Sequence, residues 1–544
     1  GGRTITMVPD GSLSTLLFSF STPTSMIVAA VVLVATFSQW DRFLEFCCNG
    51  ITVDGQGFKS CQKPSFPFGN MTGMSEDPTS FFEAVVAQSR KTGGFATCWV
   101  VHKPSLLVLD PKWIKHVLSP KITLKKTDRL VNKTLPVLDL FLGEGIFTAQ
   151  SEVWKKQHRI AMRGVGSKHT KSYFPAIQRN ATEFVQNLER LSDESKEKSV
   201  QVEVRPLFRA FALKTILKIA FGEGILTAEE EKEILEVFPQ ILESIGMVRY
   251  LLNAYLYSPL PEPTKLRRRI TRAHDLALKV LTRYADQISK NSRGQHTNEG
   301  SVLKALHEAK DTFQLSDTEA AHMLYTFMIG GMDTTSIALS HLAYLVARHP
   351  RVQAKVSMEV KKAAQRINNA PADKDKWSML SSELPYLSAV IKETLRLYPS
   401  FPYLVERNTV QSVKIGPVTV PKGRAIVVCP WITARMEEHW GSDAKEFRPE
   451  RFLKKDGDVV SITDDCASSF LTFGSGVRHC VGKNIAAMEM KTVLFELFQK
   501  YKFEMPAATS TRGPLYKDQY WQLTVNAMAP KSGMYLNLIR SQSL

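Results

Sequence analysis

The sequence predicts a mainly α-helical fold with a minor β component, held to a membrane by an apolar N-terminal segment. Three observations lead there. Helix-period patterns outnumber strand patterns beyond residue 73, and the strand-like runs are short: "TCWVVHK", "LLVLD", "SVKIGPVTV" and "AIVVC". One pattern, from Ser316 to Pro350, is long enough to cross a whole domain. Gly11 to Trp40 carries no charged residue. The expected division is an N-terminal segment with a transmembrane helix at 1–42, a linker at 43–72 and one large domain at 73–544.

Within the first segment, "MIVAAVVLVATF" (Met26–Phe37) is small or apolar apart from one threonine, and about 20 such residues span a bilayer. Pro23 would kink or shorten the span. Its terminal place and the polar stretch after it, ending in "KPSFPFGN" (Lys63–Asn70), favour an anchor and a stiff hinge over a buried helix or a cleaved signal. The chain opens on Gly1, which leaves an organellar address ahead of it open.

In the domain, Ser316 and Glu319 form a candidate capping box and Pro350 closes the run. A helix from Asp317 to His349 would extend about 50 Å. "NSRGQHTNEG" (Asn291–Gly300) reads as an exposed loop. "KLRRRITRAH" (Lys265–His274) reads as a solvated helix face, because no aromatic residues are interleaved to stack on bases. The formal charge of +17 fits anionic lipid or an acidic protein partner as readily as nucleic acid, and nucleic acid is set aside. Seven cysteines, an odd number without a CxxC pair, predict reduced thiols.

One cysteine stands apart. In "FLTFGSGVRHCVGKNIAAMEM" (Phe470–Met490), Cys480 lies between a glycine-punctuated turn and a helix-like run. Unpaired amides and the helix dipole there favour a thiolate and should lower the thiol pKa. Gly474, Gly476 and Gly482 permit tight backbone paths beside a flat group. A single thiolate with an open opposite face suits a haem iron that activates oxygen; an inert buried thiol is the alternative. The central run holds "GGMDTTS" (Gly330–Ser336), whose helical glycines each cost about 1 kcal/mol relative to alanine. Gly330 and Gly331 would leave a gap over a planar cofactor, with Asp333 and Thr334 relaying protons; close helix packing is the alternative.

Phe473, Gly476, Arg478, Cys480, Gly482 and Ala486 together resemble the haem-binding signature FxxGxRxCxGxxxA of the cytochrome P450 haem-thiolate enzymes. "ETLR" (Glu393–Arg396) resembles their ExxR motif, "FRPERF" supplies Arg451, and "GGMDTTS" resembles their oxygen-binding pattern. The resemblance runs from the hinge to the C-terminus in one order. It implies a triangular helical domain with a small β-rich lobe. It also implies haem b with Cys480 as axial ligand, Phe473 beside the sulfur, and Glu393, Arg396 and Arg451 as a structural ionic cluster. Arg478, Arg407 and Trp154 would meet haem propionates. "SEVWKKQHRIAM" departs from the family's WxxxR helix by placing His158 at the fourth position with Arg159 next, leaving open which of the two makes contact.

The same resemblance implies electrons from NADPH through an acidic-faced NADPH–cytochrome P450 reductase, with Lys155, Lys156, Lys483 and Arg478 near its dock. An endoplasmic reticulum membrane location with a cytosolic catalytic domain follows. Apolar stretches before Trp154, around Phe327 and Met328, in "FPYLVE" and across Ile245–Pro263 predict a lipophilic substrate. "ARMEEHWGSDAKEFRPERF" and "GEGIFTAQSEVWKKQ" resemble fatty-acid ω-hydroxylases and favour a fatty acid or related lipid. Sterol or terpenoid oxidation, a reductase-independent isomerase or dehydratase of lipid hydroperoxides, and a non-catalytic haem sensor are the alternatives.

Overall fold

In the computed structural model, residues 50–62, 70, 78–100, 103–119, 124–126, 140–195, 199–245, 256–290, 301–371, 375–404, 406–456, 459–463, 469–507, 519–522, 527–530 and 533–541 are described. The expected anchor at 1–42, most of the hinge and the Asn291–Gly300 loop lie outside them. No helix among the described residues is long and apolar enough to cross a membrane.

The N-terminal lobe carries β1 (Thr52–Val53), β2 (Gln56–Gly57), α1 (Pro78–Lys91), β3 (Phe95–Val100), β4 (Lys103–Val108), α2 (Pro111–Leu118) and β5 (Leu124–Lys126). The helical body follows with α3 (Ser151–Val165), α4 (Phe174–Ser195), β6 (Ser199–Glu203), α5 (Val204–Phe221), α6 (Ala228–Ile245), α7 (Pro261–Lys290) and α8 (Val302–Phe313). Then come α9 (Asp317–Arg348), α10 (Pro350–Asn368), α11 (Lys376–Glu383) and α12 (Pro385–Leu397). Strands β7 (Arg407–Thr409), β8 (Val413–Ile415), β9 (Val418–Val420) and β10 (Ala425–Val428) return to the lobe. The chain closes with β11 (Leu453–Asp456), β12 (Val459–Ile462), α13 (Lys483–Lys500), β13 (Tyr501–Glu504), β14 (Gln519–Gln522), β15 (Ala527–Pro530) and β16 (Tyr535–Arg540).

The central helix α9 is nearly the one predicted, ending at Arg348. Its capping box is formed: the Ser316 hydroxyl accepts from the Glu319 amide at 3.1 Å, and Glu319 Oε2 accepts from the Ser316 amide at 2.9 Å. From Ala320 to Ala347 most of its side chains are buried, as expected of a helix enclosed on every face. Helix α5 packs along it. Gly331 makes that approach possible, since a Cβ there would stand 2.6 Å from the Ile216 side chain.

The β lobe is built from distant segments. Its main sheet has the order β3-β4-β10-β7-β5, with β10 parallel to β4 in the register Ala425↔Ser105 to Val428↔Val108 and the other pairs antiparallel. A second sheet, β2-β1-β9-β8, joins the first described strands to the β8–β9 hairpin. Two small apolar cores sit in this lobe, around Trp431 and around Phe95, apart from the large helical core. The site lies where helical body and lobe meet.

Candidate active site

Between α9 and the loop before α13 lies a cavity of about 370 Å³. Gly330 and Thr334 line one side, and Phe473, Cys480, Gly482 and Ala486 the other. Leu142, Phe147, Phe327, Phe401 and Leu404 give it apolar walls. Met328 faces elsewhere, toward α6 and α7, so only Phe327 of that predicted pair reaches this cavity.

The loop bearing Cys480 is set by its glycines. Gly474 and Gly476 have φ of 70° and 71°, a region glycine enters without a Cβ clash. A Cβ on Gly476 would also run into the Leu118 carbonyl of α2. The Cys480 amide donates to the Phe473 carbonyl at 2.8 Å, folding the sulfur back over the turn. The Gly482 and Lys483 amides and the Lys483 charge act downward on the thiol pKa as expected, while the enclosing walls of the cavity, onto which Cys480 is exposed, act upward and outweigh them.

Adjacent glycines on α9 do different work. Gly330 has open space where a Cβ would be, whereas Gly331 is filled by Ile216, so the predicted gap belongs to Gly330 alone. Thr334 Oγ1 donates to the Gly330 carbonyl at 2.5 Å. Asp333 is buried and paired with Arg209 of α5 at 3.5 Å. The motif gave no hint of Arg209, because its partner comes from another helix.

One end of the cavity gathers basic groups. Arg478 donates to the Ala149 carbonyl at 3.1 Å and lies 3.9 Å from the Trp154 ring centroid. Arg407 also lines this end. Burial lowers the pKa of both arginines, and the Arg407 charge lowers Arg478 further. Trp154 packs on His158 with ring centroids 4.8 Å apart. His158 Nε2 is buried with no hydrogen-bond partner, while Arg159 is exposed and off the cavity. Burial, His479 and Arg478 keep His158 below its ordinary pKa. Close guanidiniums and an open imidazole nitrogen, at the end of an apolar slot, fit a flat group bearing carboxylates. Haem is such a group.

Beside the cavity, the ExxR cluster is complete within the chain. Arg396 is bidentate to Glu393 at 2.7 and 2.8 Å, and Arg451 joins Glu393 at 3.0 Å. Arg396 also donates to the Ala434, Ala444 and Glu446 carbonyls, and the Arg448 amide donates to Glu393. Asp443, unforeseen from the sequence, is a second acid for Arg451 at 3.3 Å. Two further residues escaped sequence reasoning: Ser400, whose hydroxyl donates to the Thr334 carbonyl at 2.7 Å, and Glu489, buried on α13 at the cavity wall. Burial holds Glu489 well above the usual carboxylate range. Of the expected docking cations, Lys155 is paired with Glu152 at 2.7 Å, Lys156 with Glu319 at 2.9 Å, and Arg478 is turned into the cavity.

This fold and donor set define a haem-thiolate oxidoreductase. A family model described as cytochrome P450 matches residues 60–528, and the chain belongs to the cytochrome P450 family of monooxygenases. Cytochrome P450 3A9 of Rattus norvegicus is 29% identical over 420 residues, covering 74% of this chain and 77% of that protein. Cytochrome P450 86B1 of Arabidopsis thaliana is 26% identical over 495 residues, 88% of this chain and 84% of that one. Alkane hydroxylase MAH1 of Arabidopsis thaliana is 25% identical over 448 residues, 77% and 83% respectively.

Proposed function

We propose that this monooxygenase hydroxylates a fatty acid or related straight-chain lipid, drawing electrons from NADPH through a flavoprotein reductase at an endoplasmic reticulum membrane. The apolar cavity over Cys480 carries the reading: its walls offer aliphatic and aromatic side chains to a hydrocarbon. The relative named as an alkane hydroxylase supports a hydrocarbon substrate.

Cys480 would hold the haem iron through its sulfur, and haem would supply the oxygen-activating chemistry when bound. Phe473 would pack beside the sulfur, Gly482 and Ala486 would let the backbone lie close to the haem, and Gly476, set against the Leu118 carbonyl and off the cavity lining, would shape the loop instead. Arg407, Arg478, Trp154 and His158 would hold the propionates, with His158 Nε2 donating where the family's arginine would stand. Gly330 leaves room over the ring. Thr334 Oγ1 holds a proton-bearing water in the cavity, and Asp333 replenishes it from the interior. Glu393, Arg396 and Arg451 fix the loops around Cys480 and take no part in proton movement.

The test is an optical titration of the haem-loaded protein with saturated fatty acids, sterols and terpenes. A blue shift of the Soret band with a C12–C18 fatty acid, followed by NADPH-dependent hydroxylation when reductase is added, is the expected result. Shifts confined to sterols or terpenes would overturn the substrate class. Turnover of a lipid hydroperoxide without NADPH would overturn the electron route.

A further inference from the structure

Thr334 is held at more than its own helix. Its carbonyl oxygen accepts a 2.7 Å hydrogen bond from Ser400 Oγ, a buried hydroxyl on the segment after α12. A carbonyl has two lone pairs, so this bond can add to the helical one. The Thr334 hydroxyl is meanwhile directed onto the Gly330 carbonyl at 2.5 Å. The turn from Gly330 to Thr334 is therefore tied at both ends, once internally and once to a different part of the chain.

That other part is the cavity wall. Phe401 follows Ser400 directly, and its ring faces Phe147 with centroids 6.3 Å apart. Pro399 and Pro402 bracket the pair and restrict their backbone. Beyond them the segment is fastened to β10 and its exit: the Pro402 carbonyl accepts from the Trp431 amide and from Cys429 Sγ, each at 3.1 Å, and the Leu404 amide donates to the Val428 carbonyl at 2.7 Å. Phe401 thus sits between an anchor in the lobe and the Ser400 hydrogen bond to the central helix. Pressure on its ring can pass to that helix through the Ser400–Thr334 bond.

We infer that Ser400 is a positioning residue that couples occupancy of the apolar cavity to the orientation of the Thr334 hydroxyl. The inference rests on the proposed role of Thr334 as the proton-holding group. A chain lying against Phe401 loads the Ser400 bond and turns the Thr334 carbonyl; the hydroxyl on the same residue follows. An empty cavity leaves the hydroxyl on Gly330. Proton supply is thereby matched to the presence of a substrate, which limits reduction of oxygen when nothing is there to be hydroxylated.

The test uses the full-length haem-loaded protein, reduced with dithionite under carbon monoxide, and reads the infrared C–O stretch with and without dodecanoic acid. The variants are Ser400→Ala, Ser400→Thr, Thr334→Ala and the Ser400→Ala/Thr334→Ala pair. The expected pattern is a band displaced by Thr334→Ala, displaced the same way by Ser400→Ala, restored by Ser400→Thr, and unmoved by Ser400→Ala once Thr334 is gone. Loss of one hydrogen bond should redistribute the hydroxyl orientations by roughly fivefold. If Thr334→Ala displaces the band and Ser400→Ala leaves it at the parent position, or acts equally in both backgrounds, the coupling is wrong while the Thr334 assignment stands. If Thr334→Ala leaves the band in place, the Thr334 assignment itself fails and takes the coupling with it.

Discussion

Two clusters of arginines flank the same cavity and are satisfied in opposite ways. Around Glu393, the chain supplies every partner: two guanidiniums and a backbone amide meet one carboxylate with no exposed surface, three carbonyls accept from Arg396, and Asp443 adds a second acid. The Glu393 and Asp443 charges raise Arg451 against the effect of burial. At Arg478, burial and the Arg407 charge act in one direction, downward. The first cluster is finished when folding ends. The second gathers positive charge that an incoming anion would relieve, so it marks where the protein stops and its cofactor begins.

That contrast breaks most easily at its completed side. Replacing Glu393 with alanine leaves Arg396 buried without its carboxylate and should cost about 3–5 kcal/mol, seen as loss of soluble, cooperatively unfolding protein. A smaller effect is expected at His341, a third place where buried basic groups converge. Burial and the Arg205 and Arg435 charges push it down to about 4 from an ordinary 6.5. The unfolded chain therefore binds the extra proton between those values, and stability should fall as pH drops from 6.5 toward 4. The total is on the order of 2–3 kcal/mol, and His341→Phe should flatten that slope in pH-dependent denaturation.

The neighbouring glycines sharpen the same distinction. Gly331→Ala meets Ile216 and should destabilise by about 1–3 kcal/mol. Gly330→Ala meets open space and should stabilise the haem-free protein by about 1 kcal/mol while weakening haem retention. Thermal unfolding with and without haem separates the two. Smallest in stability is Arg478→Leu, expected to move the haem-free midpoint by less than about 1 kcal/mol, since it removes a buried like charge along with a hydrogen bond. Its haem should transfer to apomyoglobin roughly tenfold faster, a barrier change of about 1.4 kcal/mol.

Legibility in the sequence followed the range of the interactions. The capping box of Ser316 and Glu319 and the extent of α9 are local patterns, and the structure reproduces them, whereas "SVKIGPVTV", read as one short strand, folds back on itself as the β8–β9 hairpin. The cysteine loop was readable because its glycines encode positive φ within a few residues of Cys480. Arg209, Asp443 and Ser400 were not, since each acts on a residue of another element and nothing in its own neighbourhood marks it. The surroundings of the thiol were half legible for the same reason. The helix N-terminus that lowers its pKa is local, and the enclosure that raises it is tertiary. His158 and Arg159 are adjacent in sequence, but only the helical turn of α3 decides that one faces the cavity and the other water.

The contact between Gly476 and the Leu118 carbonyl reaches past local geometry to the order of assembly. Leu118 leaves the ribosome early, Gly476 late, and the sulfur has no fixed address until the two meet. If Cys480 holds the iron as proposed, iron capture would be a closing event in biogenesis. A nascent chain stalled before its final quarter would already hold Trp154 and the central helix, yet lack both Arg478 and Cys480, the proposed grip on the metal.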